Sequence, residues 1–443
     1  MTRRAIIAAA VIGFTAVGLH VSLRPTPRAS IAASAAGAPR RAAPLPAPFA
    51  AGRPQIRWTP AAVVSDGSAW FPDVAVDTEG RAHVVWAAGE GLRYRQFADG
   101  RWHQPVDASG LVLAPQPGVG DLVRSAIALD RANDTLHLVG TTLGKGLPIH
   151  ARAPAPAAGS MAAWSAPQPI GINGNGYYTA LAADSRGRVH AVYIERPQDD
   201  LLSEVYYRRS DDGGETWSAA VNLSESRGVG ASRPQINVDA RDRLHVTWDE
   251  GWDRVTGQGA VASSVYRSSP DGVAWSAPAI FGSAATPSAQ LVVTAGARGR
   301  PIAVWRSTDE VLRYQQSPDA GATWSGPVPV PGVRARSWNS PPFDQYALVP
   351  DGAGLAHLAI TGHADAGGIG RSAGAAVQMI YLHWDGSTWS APAVLYADPA
   401  TFPEYPRLAV GPDAVHLVWF TRTDLWDSLA HKDVWHSEGR PLR

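Results

Sequence analysis

Short runs of alternating apolar and polar residues recur along this chain, each broken by a turn and then resumed. PDVAVDTEGRAHVVW (Pro72 to Trp86), SAIALDRANDTLHLVG (Ser125 to Gly140), TALAADSRGRVHAVY (Thr179 to Tyr193) and PQINVDARDRLHVTW (Pro234 to Trp248) are copies of one unit. Looser copies are AQLVVTAGARGRPIAVW (Ala289 to Trp305), YALVPDGAGLAHLAI (Tyr346 to Ile360) and PRLAVGPDAVHLVWF (Pro406 to Phe420). A period of two residues on both sides of a Gly- or Asp-bearing turn predicts a β-hairpin.

Between the hairpins lies a second motif that centres on tryptophan, as in YYRRSDDGGETWSAAV at 206–221 and YQQSPDAGATWSGPV at 314–328. Two hairpins make a four-stranded module, and its return every ~50 to 60 residues predicts an all-β, seven-bladed propeller. Trp58, Trp102, Trp164, Trp217, Trp275, Trp324 and Trp389 begin seven Trp-x-x-Pro or related motifs. Trp58 precedes the first hairpin, and none follows the last. The N-terminal strand is therefore expected to close the last blade, completed by residues 403 to 437, which removes an open sheet edge. Six blades is the alternative, with one degenerate copy as an insertion. The expected propeller spans 55–437, with a tail over 438–443.

The octets Ser210 to Trp217 and Ser317 to Trp324 read Ser-x-Asp-x-Gly-x-Thr-Trp, with shortened forms at 269–275 and 384–389. Asp212 and Asp319 can accept turn N–H groups, Gly214 and Gly321 relax the backbone, and Thr216 and Thr323 are expected to begin the outer strand. Trp217 and Trp324 are expected to cover the hairpin's apolar side. On these octets and the hairpins, residues 55–437 resemble the sialidase-like Asp-box (BNR) propeller superfamily. That resemblance implies a glycan-related role without fixing a chemistry, because it spans sialidases, other glycoside hydrolases, polysaccharide lyases and non-enzymatic propellers. The early Arg-Ile-Pro of the sialidase pattern is absent, and no arginine triad matches residue by residue.

Composition narrows the partners. Basic and acidic residues balance at 39 each, so nothing points to nucleic acid or an anionic membrane surface. With no cysteine, disulfides, thiolate metal sites and lipoprotein attachment are excluded. Arg3 and Arg4 precede an apolar run from Ala5 to Leu19. Residues 1–28 therefore read as a signal peptide, or as an N-terminal membrane anchor if retained, and 29–54 as an Ala/Pro-rich linker. The expected protein is extracytoplasmic and monomeric. No cofactor is implied; aspartates and carbonyls near GINGNGYY (Gly171 to Tyr178) could hold calcium, but nothing requires it.

Propeller ligands meet the channel entrance, where innermost strands begin. Counting six residues back from each hairpin aspartate or its counterpart gives Phe71, Arg124, Tyr178, Arg233, Ser288, Gln345 and Tyr405. A structural repeat would make these alike. They differ, and arginine forks with aromatic faces suit an anionic, hydroxyl-rich ligand. Carboxylates nearby include Asp73, Asp121, Asp344 and Glu404. Glu195 and Glu250, just past second strands, are the expected acid/base pair, with Tyr178 as an alternative activated phenol. Arg124, Arg233, Tyr405, Phe71 and His363 are the expected substrate contacts. His83, His137, His190, His245, His357 and His416 recur at one hairpin position and are assigned to blade packing.

Three functions remain open: an exo-acting glycoside hydrolase on an anionic sugar, a noncatalytic carbohydrate- or protein-binding propeller, and a uronate lyase using His363. A broad exposed face of Trp252, Trp338, Trp426 and Tyr346 would favour the second.

Overall fold

The computed structural model describes residues 56–442 apart from 90, 113–122, 143–146, 175, 254–258, 284, 297–298, 339–345, 366–375 and 425–429. The expected signal or anchor, the linker, Asp121, Asp344, Gln345 and Trp426 lie outside the described residues. Seven antiparallel sheets follow one another along the chain. Blades 1 to 6 span 70–107, 123–169, 179–222, 231–281, 288–329 and 333–397, and blade 7 joins 402–441 to two short N-terminal strands.

The closure follows the expected plan. Ile56–Trp58 pairs with the last strand at Gly439–Pro441, and Ala62–Val63 pairs with it at Trp435–His436. That strand runs to Pro441, so residues 438–441 belong to the ladder and not to a tail. Thr59 reinforces the closure, donating its N–H to the Glu438 carbonyl at 2.8 Å.

The seven tryptophans pack on their own blades, as Trp102 does on Phe97 and Trp389 on Trp384, and they share a second contact as well. Each meets an aromatic ring on the third strand of the preceding blade: Trp58 on Tyr381 at 4.7 Å, Trp102 on His436 at 5.0 Å, Trp164 on Tyr94 at 6.2 Å and Trp217 on His150 at 5.1 Å. Trp275, Trp324 and Trp389 meet Tyr207, Tyr266 and Tyr314 at 4.9, 5.3 and 5.6 Å. All seven are edge-to-face, an arrangement contributing about 0.5–1.5 kcal/mol beyond the area buried.

Behind the seam ring stands the recurrent histidine. His83, His190, His245 and His357 bond a tyrosine hydroxyl at 2.7–2.9 Å through Nδ1 and the hairpin aspartate at 3.1–3.4 Å through Nε2. Blades 2 and 7 use His137–His150 and His416–His436 pairs instead, both 3.0 Å apart. Burial holds His137 and His150 down to about 3, so both stay neutral.

The octets form turns closed by their own side chains. Asp212 accepts from the Thr216 N–H at 2.9 Å and hydroxyl at 2.5 Å, and Asp319 does the same for Thr323 at 2.7 Å each. These threonines thus cap the turn, and the outer strands begin later, at Val221 and Val328. Gly321, at φ +96°, sits where a Cβ would come within 2.5 Å of the Tyr266 hydroxyl oxygen. The turn glycine therefore lets the turn close onto the preceding blade.

Candidate functional site at the channel entrance

The innermost strands of four blades carry a bulge at their first turns, between Trp70 and Asp73, Ser232 and Gln235, Ala289 and Val292, and Glu404 and Arg407. In each, a bulky residue takes the left-handed region: Phe71 (φ 51°), Arg233 (51°), Gln290 (60°) and Tyr405 (58°). Such conformations cost about 1–3 kcal/mol and gather where a side chain must be aimed at a site. They also correct the expected ring, because blade 5 contributes Gln290 and not Ser288. The counterpart of the hairpin aspartate there is Gly296, as Gly411 is in blade 7; counting from Thr294 shifted the register by two.

Phe71, Arg124, Tyr178 and Tyr405 do come together. The Arg124 guanidinium lies 3.3 Å from the Phe71 ring centroid, 4.7 Å from Tyr405, 4.9 Å from Tyr177 and 5.0 Å from Tyr178. Arg407 covers the Tyr405 ring at 3.7 Å and approaches Asp73 at 3.9 Å. This box is buried, with Arg124 only 1% exposed. The Tyr178 hydroxyl has no hydrogen-bond partner among the described residues.

Arg233 stands apart from that box. It pairs with Asp249 at 2.5 Å and lies 5.0 Å from the Trp252 ring. Asp249 also accepts from the Ser264 hydroxyl at 2.7 Å and the Gln290 N–H at 2.9 Å, which ties blade 4 to blade 5. One blade further on, Arg306 repeats the theme, 5.3 Å from the Trp338 ring and donating to the Ser337 carbonyl at 3.2 Å. Both indoles are half-buried, so each keeps part of its surface in solvent. In blade 7 Glu404 is clamped by Arg336 at 2.8 Å and Arg422 at 2.9 Å. Sequence reasoning did not single out Arg306, Arg336, Arg407 or Arg422. Arg306 and Arg422 lie near the ends of second strands and Arg336 just after the first strand of blade 6, places that only the fold reveals.

The two carboxylates expected as an acid/base pair have different surroundings. Glu195 is fully buried and accepts from the N–H groups of Ile172 at 2.8 Å, Gly174 at 3.0 Å and Asn173 at 3.4 Å. Burial nevertheless pushes its carboxyl above the ordinary range, against the pull of those amides and of Arg208. Glu250 holds the equivalent place in blade 4, half-buried, with one oxygen accepting from the Trp248 indole at 3.0 Å. Burial raises it too, helped by the nearby Glu204 charge. His363 sits half-buried on blade 6 opposite Arg334. Tyr346, whose exposure would have favoured a binding face, is buried in the core between blades 5 and 6. Among the described residues no group of three or more His, Asp or Glu side chains is placed to hold a metal ion.

The model of a BNR repeat-like domain matches residues 160–417, more than half of the chain. The chain belongs to the BNR repeat-like domain family. This BNR chain is also similar to solved structures. A polysaccharide lyase of family PL25, an ulvan lyase, aligns over 85% of this chain and 95% of its own at TM-score 0.53 and 13% identity. An ulvan lyase of that family bound to -[GlcA(1-4)Rha3S]- aligns over the same shares at TM-score 0.53 and 12% identity. The NanB sialidase of Streptococcus pneumoniae aligns over 90% of this chain and 71% of its own, at TM-score 0.48 and 13% identity. At such identities the lyase likeness establishes a shared fold. No curated protein matches the sequence.

Proposed function

We propose that this chain is an exported propeller that binds an anionic glycan at its channel entrance over blades 4 to 6. The observation that carries the reading is the pair of arginine–tryptophan contacts, Arg233 with Trp252 and Arg306 with Trp338, at neighbouring blades. A half-buried indole offers a sugar face, and arginines round the entrance suit carboxylate or sulfate groups, although Arg233 itself is charge-paired with Asp249 and chiefly holds its indole in place. The lyase of the same fold is bound to a sugar carrying a uronate and a sulfate, which is the chemistry such an entrance suits.

Turnover of that glycan is the second reading, favoured by Glu250. Half-buried, raised in pKa and beside Glu204, it has the character of a general acid. Glu195, sealed in its amides, does not serve as its partner in this reading.

Titration of the purified chain with uronate- and sulfate-bearing oligosaccharides, beside neutral ones of equal length, tests the proposal. Binding is expected for the anionic set alone, weakening with salt. Trp338→Ala and Trp252→Ala should each lose about tenfold in affinity, the equivalent of ~1.4 kcal/mol. Equal binding of neutral sugars, or unchanged affinity in both variants, rejects the site. Mass spectrometry of the same mixtures separates the chemistries: free sugar marks a hydrolase, an unsaturated uronate marks a lyase, and intact glycan leaves a binding propeller.

A further inference from the structure

The segment that leads into blade 3 carries Tyr177 and Tyr178, half of the aromatic wall round Arg124, yet residues 171–174 and 176–178 lie outside the strands, with the Tyr178 carbonyl tied to blade 3 by the Ile194 N–H at 3.1 Å. Two anchors hold the start of it. The Ile170 carbonyl accepts from the Tyr193 hydroxyl at 3.1 Å and from Arg208 at 2.7 Å. Beyond that point, the Glu195 carboxylate gathers three successive N–H groups, those of Ile172, Asn173 and Gly174. Successive amides turned toward one centre form a concave anion site, and here the anion is a side chain of the same blade.

The fit depends on glycine. A Cβ on Gly171 would lie 2.3 Å from the Glu195 Oε1 atom, and one on Gly176 would lie 2.5 Å from the Ile194 carbonyl oxygen. Past Gly176 the chain delivers Tyr177 and Tyr178 both to Arg124 and to the buried cluster that holds Ala231 and Trp248 of blade 4. Glu195 thus acts at one end of a short path whose other end is the entrance.

We infer that Glu195 is a positioning residue, whose carboxylate fixes residues 171–174 in an amide cradle and thereby sets the Tyr177–Tyr178 wall at the channel entrance. The inference rests on the glycan reading for its functional consequence, and on hydrogen bonding alone for the cradle itself.

The test uses Glu195→Ala in the full chain, which empties the cradle, and free formate, which can refill it. Hydrogen exchange across 171–178 should quicken about tenfold, with blades 5 and 6 unchanged. Formate should slow it again, whereas chloride at equal ionic strength should not. Because Tyr177 and Tyr178 pack in one cluster with Ala231, two residues before Arg233 on the same strand, affinity for a uronate-bearing oligosaccharide should fall and recover in step with the exchange. Should the alanine variant fail to fold, Glu195→Gln, which keeps the volume and loses the charge, is expected to show the faster exchange. Exchange that is unchanged in the folded variant overturns the cradle. Faster, formate-sensitive exchange with unaltered glycan affinity overturns the positioning role. If the wild-type chain binds no anionic glycan, the glycan reading fails by itself, and the exchange arm still decides the cradle.

Discussion

The seams between blades and the entrance of the channel are built from the same residue types to opposite effect. At the seams one arrangement is repeated seven times, a tryptophan edge against a ring of the preceding blade, and behind it His83, His190, His245 and His357 hold the same two partners each. At the entrance no one residue is repeated round the ring. Phe71, Arg124, Tyr178, Arg233, Gln290 and Tyr405 occupy one ring, four of them at positive φ. Two positions on, Asp73, Gln235, Val292 and Arg407 stand where other blades have Ala126, Ala180 and Ala347. A repeat that solves a packing problem is copied; departures from it, when they carry charge and strain, mark the place where something other than packing is selected.

The sharpest way to break that contrast is to remove one tryptophan from each region. Trp389, 2% exposed and packed on Tyr314 and Trp384, should cost about 3–5 kcal/mol as Trp389→Ala, read as a lower denaturation midpoint. Trp338→Ala should leave that midpoint nearly unmoved while weakening the glycan. Equal losses of stability would show that the entrance tryptophan is ordinary packing.

A smaller effect tests the closeness of the seam. Gly272 lies at φ +76°, and a Cβ there would come 2.0 Å from the Tyr207 hydroxyl oxygen, whereas Gly386, at φ +92°, would meet nothing within 4 Å. Gly386→Ala should cost about 1 kcal/mol for the backbone alone, and Gly272→Ala about 2 kcal/mol because Tyr207 must also move. Thermal or denaturant midpoints that match for the two variants would remove the seam's steric term.

Most of the fold was legible because a propeller writes itself once per blade. Seven alternating hairpins, seven tryptophans and the early position of Trp58 led to the correct number of blades and the correct closing strand. What failed were statements about neighbours. Nothing local in SDDGGETW says that Trp217 faces His150 of the blade before it, since that ring is 67 residues upstream (217 − 150). The ring position in blade 5 was missed because that hairpin has lost both its aspartate and its histidine, leaving Gly296 and Ile302. Glu195 was placed at the right height but assigned a chemistry its surroundings do not offer, because three amides from a turn 21 to 23 residues earlier take its oxygens. Arg306 and Arg422 have no distinguishing sequence signal among 37 arginines (39 basic residues less two lysines).

Asp73 allows the contrast to be followed with pH. Its Oδ2 atom accepts from the Ile127 N–H of blade 2 at 3.0 Å and its Oδ1 atom from Val74 at 2.9 Å, with Arg407 of blade 7 beside it. Burial outweighs all three and pushes its carboxyl up to about 6. A folded state that holds its proton longer than the unfolded chain gains stability in acid. That gain is complete below the ordinary aspartate value and is lost as the pH rises through about 6. At the seams the sign is reversed. Asp77 is held down at about 2, burial being outweighed by bonds from His83 and Arg81, so its contribution is present above the ordinary value and lost in strong acid. Asp73→Asn has no proton to lose. Between pH 4 and 6 its stability should therefore lack a slope of about 1 kcal/mol per pH unit carried by the wild-type chain. Asp77 and the other seam carboxylates are common to both proteins and cancel in the difference. Parallel pH profiles for the two proteins would mean that Asp73 titrates as a seam carboxylate does, and that the charged ring of the channel is one more piece of the scaffold.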